Sequence, residues 1–289
     1  MPTLAAAAIA KDEARDLPGW LENVFHFVDE AVVVVDAATT DETRELLAAA
    51  EVDYPGRVRW MEREKSYDEG FAGQRNASLD LATADWVLHM DIDMRATPEL
   101  GAEIRTAIQD ESKNGFYYRL LNHFLHHPVT GGGWATWNKA WLGRRGAHHF
   151  ANHIHEVTHI EGGDAATGQL AGLMWHLNDE NYVERVGKNL QYMQGSGRKI
   201  LERGIRVRWY HMVLHPAYRA FKTYVAQGGW RDGTHGFLHA MYTFTSNFNW
   251  WAYAWDEQNR VTRESLESRL QSAWATSEAA RSLPAPSVS

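Results

Sequence analysis

The sequence contains no cysteine among its 289 residues. This absence excludes disulfide bonds and thiolate-ligated metal sites, so any metal ion must be held by oxygen or imidazole ligands. Positive charge is also scarce, because 29 Lys and Arg against 37 Asp and Glu give a formal net charge of −8. A chain this acidic is a poor candidate for wrapping nucleic acid, which favours a strongly basic face. The lack of cysteine fits a reducing compartment, and we expect a cytoplasmic protein.

Long apolar runs are missing as well. No run approaches the ~20 residues that span a bilayer, so the sequence predicts no transmembrane segment. The first ten residues are small and apolar, but no basic segment precedes them and Lys11 ends the run. A secretory signal needs a charged start and a longer apolar stretch, so we expect a β-strand here instead. Peripheral contact with a membrane surface stays open.

Strand-like and helix-like patterns alternate over the first part of the chain. Residues 31–35, for example, form an apolar run of the kind found in parallel strands that are covered on both faces. The predicted strands are 3–9, 31–35, 57–61 and 86–90. Four helices are predicted between and after them. The first spans 16–28, the second is capped by Thr39 or Thr40 and runs to 50, the third spans 71–82, and the fourth is capped by Thr97. This alternation predicts βαβ units, and therefore an α/β fold with a mainly parallel central sheet.

The pattern changes twice further along the chain. Strand-like segments are predicted at 115–124, 135–142 and 170–176, and from Glu180 onward the spacing of apolar residues is helical. The end of the chain is rich in Ala, Ser and Pro, which predicts disorder. The sequence thus divides into an α/β domain at 1–177, a helical, aromatic-rich region at 178–275 and a tail at 276–289.

Acidic residues stand where predicted strands end. Asp36 ends the second strand, and Asp91 and Asp93 follow the fourth. Ligands of open parallel sheets bind outside the carboxyl ends of the strands. Two carboxylates two residues apart can face one divalent cation, which in turn bridges the phosphates of a nucleotide sugar. The alternative is that each acid caps a turn or a helix.

Several stretches together resemble the family 2 glycosyltransferases of the GT-A fold, the nucleotide-diphospho-sugar transferase fold, and within them the lipopolysaccharide-core β-glucosyltransferase-like branch. The matching stretches are IAKDE at 9–13, VVVVD at 32–36, TTDET at 39–43, QRN at 74–76, WVLHMDID at 86–93, the pair 155–156, His176, and GGWRDG at 228–233 with 236–237. The family commonly has Asn where this chain has Asp12, and an acid where it has Met94.

The resemblance implies roles for the matched residues. The donor is expected to be a UDP-sugar, such as UDP-glucose or a close hexose, with thymidine and guanosine donors left open. The donor-binding residues are then Lys11, Glu13, Asp36, Arg75, Asp91 and Ile92. A Mn²⁺ or Mg²⁺ ion is expected, and its ligands are Asp91, Asp93 and His176. Asp93 is the main metal ligand and hence a catalytic residue. A saccharide is the expected acceptor, while protein, lipid-linked and modified nucleic-acid acceptors remain open.

Glu156 is the candidate general base. Inverting transfer needs one carboxylate near the acceptor hydroxyl, which takes its proton as the oxygen attacks the anomeric carbon. Asp164, Asp179 and Glu180 are the competing carboxylates. The product of an α-linked donor is then β-linked, because a single displacement inverts the anomeric carbon.

Two other classes of protein compete with this hypothesis. His155-Glu156-x-x-His159 satisfies the HExxH signature of zinc metalloproteases. That signature requires a helix, whereas Val157, Thr158 and the glycines at 162–163 disfavour one. A non-catalytic carbohydrate-binding protein is the second alternative; it is expected to keep aromatic residues and lose the acids, but both acids of the triplet are present.

The aromatic residues of 209–255 leave two interpretations open. We expect them to line an acceptor groove. Contact with a membrane surface is the alternative, and it requires a helix with a basic polar face and an apolar opposite face.

Overall fold

The computed structural model describes residues 1–66, 68–135, 137–151 and 157–281. The first part of the chain alternates between strand and helix as predicted. Its elements are β1 (Leu4–Ala10), α1 (Leu17–Val24), β2 (Glu30–Asp36), α2 (Thr43–Asp53), β3 (Val58–Arg63), α3 (Gly70–Leu81), β4 (Trp86–His89), β5 (Met94–Ala96) and α4 (Pro98–Ala107).

The middle of the chain is made of strands, and the remainder is helical. The strands are β6 (Gly115–Phe124), β7 (His127–Pro128), β8 (Asn138–Arg144), β9 (His148–Ala151), β10 (Val157–Ile160) and β11 (Thr167–His176). The α-helices that follow are α5 (Tyr182–Glu202), α6 (His211–Phe221), α7 (Gly233–Asn259) and α8 (Arg263–Arg281).

One large sheet organises the described residues. Its strands lie in the order β3-β2-β1-β4-β8-β6-β11-β5, with β7 paired to β6. The pairs β2–β3, β1–β2, β1–β4 and β6–β11 are parallel, whereas β4–β8, β6–β8 and β5–β11 are antiparallel. Because β1, β2 and β4 run in the same direction, their carboxyl ends share one edge of the sheet. The three acids that follow predicted strands lie at this edge.

Burial explains the apolar sequences of the central strands. All of 4–8 and 31–33 are fully buried, as expected of parallel strands with helices on both faces. Helix α1 covers the sheet through Leu17, Trp20, Leu21 and Val24, which recur at helical spacing. The helix ends earlier than predicted, at Val24, because the chain tightens there: the N–H groups of His26 and Phe27 bond to carbonyls three residues back, those of Asn23 and Val24, instead of four.

The predicted start of α2 is wrong, and the reason is a tertiary contact. The helix begins at Thr43 rather than directly after Thr39 or Thr40. The Thr40 N–H and hydroxyl donate to the Asp12 carboxylate, at 2.6 and 3.1 Å, which holds this residue against the loop after β1. By contrast, the predicted cap of α4 is confirmed, since the Thr97 hydroxyl accepts a bond of 3.3 Å from the Leu100 N–H.

The described chain forms two compact units that differ from the predicted domains. The first unit comprises Met1–Arg185 and Phe221–Ala240, and the second comprises Val186–Ala220 and the chain from Met241 onward. The second unit has its own apolar cluster, formed by Ile200, Val207, Trp251 and Ala254. Helix α8 continues to Arg281, so 276–281, expected to belong to the tail, are helical. The extension fits the helix propensities of this stretch, because four of its six residues are Glu, Ala or Arg, which are good helix formers.

Within the described residues, no helix combines the length and apolar character needed to cross a membrane.

Candidate active site

The loop after β1 brings the first predicted donor-binding residues to the carboxyl edge of the sheet. Lys11 is exposed and Glu13 is half-buried. Between them, Asp12 has a left-handed backbone with φ of 56°, a conformation that Asp and Asn tolerate better than most residues. The departure from the family's usual Asn therefore preserves the shape of this loop. The backbone hydrogen bond from Thr40 lowers the pKa of Asp12.

Asp36 ends β2 at the same edge, where prediction placed it. It is half-buried, and its Oδ1 accepts a bond of 2.9 Å from the Ala38 N–H. In the register of the sheet it stands beside Arg63, the last residue of β3. Arg63 in turn bonds to Gln74 of α3 at 3.2 Å. The end of β2 and the start of α3 thus border the same part of the edge.

The Asp91-Ile92-Asp93 triplet follows β4 directly. Ile92 is buried with 1% of its surface exposed, whereas the side chains of Asp91 and Asp93 are 26% and 23% exposed. The two carboxylates thus remain accessible while the residue between them anchors the turn in the core. Ile92 was predicted to bind the donor. Because its side chain is buried, only its main chain is available for such a contact.

Asp91 is held by a buried arginine. Arg75 Nη1 donates to Asp91 Oδ1 at 2.7 Å, and the guanidinium lies 4.4 Å from the centre of the Trp141 ring. His89, which is fully buried, contacts both charged groups. Burial alone would raise the pKa of Asp91, but the Arg75 charge and the hydrogen bonds from His89 and Arg75 outweigh it and hold the pKa below its ordinary value. Burial, aided by Arg75, lowers the pKa of His89 to about 4, so this imidazole is neutral near pH 7.

Asp93 faces a histidine from a distant part of the chain. His176 Nε2 lies 3.2 Å from Asp93 Oδ2. The contact follows from strand pairing, because β5 and β11 are neighbours and His176 stands opposite Met94 in their register. The position where the family commonly has an acid, Met94, is buried and begins β5. The predicted pairing of Asp93 with His176 in one site is therefore present.

The hydrogen bond at Nδ1 of His176 determines which ring nitrogen of this residue carries the hydrogen in the neutral imidazole. His176 Nδ1 lies 2.7 Å from Asn122 Oδ1 on the adjacent strand β6, and the Asn122 amide nitrogen donates to the Trp134 carbonyl at 2.8 Å. Since Asn122 Oδ1 is only an acceptor, Nδ1 must carry a hydrogen. In the neutral ring Nε2 then presents a lone pair to the Asp93 carboxylate. Two acceptors this close require either a second ring proton or a cation between them.

This donor set fits a divalent cation. An imidazole nitrogen and a carboxylate oxygen suit Mn²⁺, and a histidine ligand whose other nitrogen donates to an oxygen is the usual arrangement at metal sites. Three side chains were predicted as ligands, but across the described ranges no group of three His, Asp or Glu is arranged to hold a metal ion. Asp91 is turned to Arg75 instead, so Asp93 and His176 are the two side chains that converge.

Sequence reasoning missed Asn122 and did not single out the tryptophans near His176. Trp137 is 38% exposed, and its ring centre is 6.5 Å from that of His176. Trp134 packs beneath it, with ring centres 6.1 Å apart. Asn122 is 1% exposed within a largely apolar strand, and a polar residue in such a strand is the signal that would have singled it out.

The loop before these tryptophans is docked on the chain around Asp232. The buried Asp232 carboxylate accepts bonds from the Thr130 N–H at 3.0 Å, the Thr130 hydroxyl at 2.5 Å and the Gly131 N–H at 3.0 Å. A side chain at Gly131 would collide with the Gly228 carbonyl, at 2.5 Å. Glycine at this position therefore permits a close approach of the two chain segments.

Glu156 and His155 lie outside the described residues, and the strands on either side locate only the ends of their segment. Strand β9 is clamped to α3, because the Asn76 amide group exchanges two bonds of 2.8 Å with the Phe150 main chain. The Phe150 ring is 5.3 Å from that of His89, beside the Arg75–Asp91 pair. His159 lies in β10, a strand, as the sequence predicts, so the helix that a zinc-protease signature requires does not run through it.

The competing carboxylates occupy different surroundings. Asp179 is 2% exposed and forms an ion pair with Arg185, which itself lies over the Trp134 ring at 4.9 Å. Such a pair stabilises the local structure. Because the Asp179 carboxylate is engaged by Arg185, it is poorly placed to act as the general base. Asp164 and Glu180 are both exposed.

Replacing Arg75 with methionine is expected to destabilise the fold. The change leaves the Asp91 charge without its partner, and breaking a buried ion pair costs about 3–5 kcal/mol. The folded-state pKa of Asp91 is lowered, so its contribution to stability is complete above its ordinary pKa of about 3.9 and is lost as the pH falls through the lower value. Unfolding by denaturant measures this effect: the difference in the free energy of unfolding between Arg75→Met and the parent should become smaller in acid.

The matched control is Arg260→Met. Arg260 pairs with Asp256 on the surface of α7, and both side chains are half exposed. Exposed pairs contribute about 0–1 kcal/mol, so this variant should unfold nearly as the parent does. Equal losses in the two variants, or a loss at Arg75 that persists unchanged in acid, would contradict the assigned pair.

The comparisons with known proteins agree with this fold. The model of the family described as glycosyl transferase family 2 matches residues 9–160, more than half of the chain. The α/β fold with its mainly parallel sheet is of the GT-A type, and the molecule is a glycosyltransferase. The chain belongs to glycosyl transferase family 2.

A curated relative and two solved structures illustrate the similarity. The lipopolysaccharide core biosynthesis glycosyltransferase LpsC of Rhizobium meliloti (strain 1021) is 28% identical over 247 residues, covering 82% of this chain and 86% of LpsC. S. aureus TarS 1-349 in complex with UDP has a TM-score of 0.44 at 11% identity, covering 89% of this chain and 91% of TarS 1-349. The mannosyltransferase PcManGT from Pyrobaculum calidifontis, in complex with GDP-Man and Mn²⁺, has a TM-score of 0.45 at 12% identity, covering 95% and 81% of the two chains. A longer TarS structure is matched over 22% of its own chain.

Proposed function

We propose that the protein transfers a hexose from a UDP-sugar to a hydroxyl acceptor, in a reaction that inverts the anomeric carbon and depends on Mn²⁺ or Mg²⁺. The observation that carries this proposal is the contact of 3.2 Å between Asp93 and His176 at the carboxyl edge of the sheet. This edge is where nucleotide ligands of parallel sheets bind. A saccharide is the proposed acceptor.

Asp93 and His176 are the proposed protein ligands of the ion. A bound divalent cation would take up the negative charge that develops on the departing diphosphate. Asn122 keeps the hydrogen of His176 on Nδ1 and so directs the Nε2 lone pair toward Asp93. Asp91, two residues before Asp93, is drawn to Arg75, and we assign it to the ribose side of the donor.

The remaining donor-binding residues surround the nucleotide in this proposal. Asp36 contacts the base or the ribose, and Lys11 and Glu13 border the nucleotide from the loop after β1. The bonds from Thr40 to Asp12 support this assignment, because they hold that loop in place before a ligand arrives. Arg75 positions Asp91 and borders the nucleotide.

Glu156 is the proposed general base for the acceptor hydroxyl. It takes the proton from that hydroxyl as the oxygen attacks the anomeric carbon. The assignment is supported by the ion pair that engages Asp179 and by the clamp that anchors β9 beside the Arg75–Asp91 pair. The region proposed for acceptor binding beyond the catalytic domain is 178–275.

Thermal unfolding in the presence of nucleotides tests the donor and the ion together. We expect UDP with Mn²⁺ to raise the Tm by roughly 5 °C or more at saturating concentrations, since a ligand at 100 times its Kd stabilises by about 2.7 kcal/mol. GDP and thymidine diphosphate should give smaller shifts. A larger Tm shift with GDP than with UDP would indicate that the donor is a GDP-sugar. A response to free sugars but to no nucleotide would favour a carbohydrate-binding protein.

His176→Ala is the matched variant for the ion. It should lose the part of the UDP shift that depends on Mn²⁺ and retain the part that UDP produces in a chelator. If Mn²⁺ still added its full contribution to the Tm shift of this variant, Asp93 and His176 would not be the ligand pair, even if the donor is a UDP-sugar.

A further inference from the structure

Arg95 bonds to two segments that border the proposed donor site. It is the middle residue of β5 and is half-buried. Its Nη1 donates to the Ile92 and Met94 carbonyls at 2.8 and 2.6 Å. Its Nη2 donates to the Asp16 carbonyl at 2.9 Å. One guanidinium therefore joins the turn that carries the acid triplet to the end of the loop after β1.

The partners of this guanidinium are neutral carbonyl groups. Among the described residues no carboxylate pairs with Arg95, and that of Asp16 is turned to Arg15 at 2.8 Å instead. A guanidinium carries its N–H donors in a planar fork that reaches several acceptors at once, whereas lysine has one nitrogen on a flexible stem. Arginine at this position thus fits a geometric role, the joining of two main-chain segments, better than the pairing of charges.

The bond to Ile92 acts directly on the main chain of Asp93. The Ile92 carbonyl belongs to the peptide unit before Asp93. In the unit after it, the Asp93 carbonyl accepts a bond of 3.0 Å from the Leu177 N–H. Because peptide units are planar, holding both of them fixes the direction of the Cα–Cβ bond between them. These bonds therefore aim the carboxylate that lies 3.2 Å from His176.

We propose that Arg95 is a positioning residue of the transfer site, which holds the Asp93 carboxylate in place for the metal ion before the donor binds. The inference rests on the proposed function, because it takes Asp93 as a ligand of the ion. Residues that orient a metal ligand contribute about 10–100-fold to metal affinity. Through Asp16 the same guanidinium also keeps the loop after β1 in register with the acid triplet.

Gly19 of α1 provides a second way to disturb this arrangement. A Cβ at Gly19 would lie 2.9 Å from Arg95 Nη2, which is closer than such atoms normally approach. Alanine is also a better helix former than glycine, so Gly19→Ala favours α1 while it crowds the guanidinium. The variant displaces the Arg95 side chain without replacing it or any proposed ligand of the ion.

Titration with Mn²⁺ in the presence of saturating UDP tests the proposal, with the electron paramagnetic resonance signal of free Mn²⁺ as the readout. Arg95→Lys keeps the charge but loses the fork, and it should raise the Kd of Mn²⁺ at least about tenfold. Gly19→Ala should raise this Kd by about threefold, because the guanidinium is displaced but still present.

The matched control is Arg57→Lys. Arg57 also donates to main-chain carbonyls, those of Asp29 at 3.2 Å and Val28 at 2.9 Å, but it precedes β3 at the other end of the parallel strands. This variant should bind Mn²⁺ as the parent does, even if it is less stable. All three variants keep the net charge of the parent, and circular dichroism with thermal unfolding verifies that each is folded.

The outcomes separate this inference from the proposed function. Mn²⁺ binding by Arg95→Lys that is as tight as in the parent, or an equal loss in Arg57→Lys, would overturn the inference alone. If Arg95→Lys does not fold, Gly19→Ala decides, and an unchanged Kd in that variant has the same meaning. A parent that binds no Mn²⁺ in the presence of UDP would overturn the proposed function and this inference together.

Discussion

Replacing Asp93 with asparagine is expected to reduce glycosyl transfer by about 10³-fold or more. The variant keeps the volume of the side chain but removes the charge that faces His176 at 3.2 Å. A metal ion stabilises charge in the transition state by several kcal/mol, and about 4 kcal/mol corresponds to this loss in rate. The rate is measured as release of the nucleotide diphosphate in the presence of Mn²⁺ and acceptor.

The fold should survive the change. The main-chain bond from the Leu177 N–H to the Asp93 carbonyl, at 3.0 Å, does not involve the carboxylate, and that side chain is partly exposed. Asp53→Asn, at the exposed end of α2, is the matched control and should transfer at the parent rate. Undiminished activity of Asp93→Asn, or of the parent in excess chelator, would refute the role of the ion.

Glu156→Gln is expected to lower the rate of transfer by about 10²–10⁴-fold, the usual contribution of general-base catalysis. Glutamine has the shape of glutamate but cannot take the acceptor's proton. Binding of UDP and Mn²⁺ should be unchanged, because Asp36, Asp91 and Asp93 remain. Rapid-quench kinetics together with UDP titration separates the loss in rate from any loss in binding.

Glu161→Gln is the matched control, since it makes the same change at an exposed position just beyond β10. If Glu156 only tethers its segment, for example by pairing with Arg144 or Arg145, Glu156→Gln should retain most activity. The base is then to be sought at Asp164 or Glu180. The anomeric configuration of the product provides a separate test: a β-linked product from an α-linked donor agrees with single displacement, whereas an α-linked product would reject the mechanism itself.

The arrangement of the first part of the fold was predictable because its signals are local. The apolar run at 31–35 became β2, and the Thr97-Pro98 pair became the start of α4. A parallel strand that is buried on both faces needs apolar residues throughout, and a helix start needs a side-chain acceptor for its first N–H groups. Both requirements are met by neighbouring residues and are therefore visible in the sequence.

One error occurred where a distant residue decided the local structure, and another where local helix propensity outweighed a tail-like composition. Thr40 bonds to Asp12 rather than to the start of α2, so the helix begins later than its polar residues suggest. Residues 276–281 continue α8 although their composition resembles that of a tail. Composition and spacing describe what a segment can form, but a competing tertiary bond selects one of those forms.

The sequence by itself determined the class of fold, the edge of the sheet where Asp36, Asp91 and Asp93 lie, and the family. Only the tertiary structure decided how these acids are used: Asp91 is held by Arg75, and Asp93 faces His176, whose ring is held by Asn122. The physical reason is strand order. Asn122 and His176 are 54 residues apart and meet because β6 and β11 are paired in one particular register, which local periodicity does not specify.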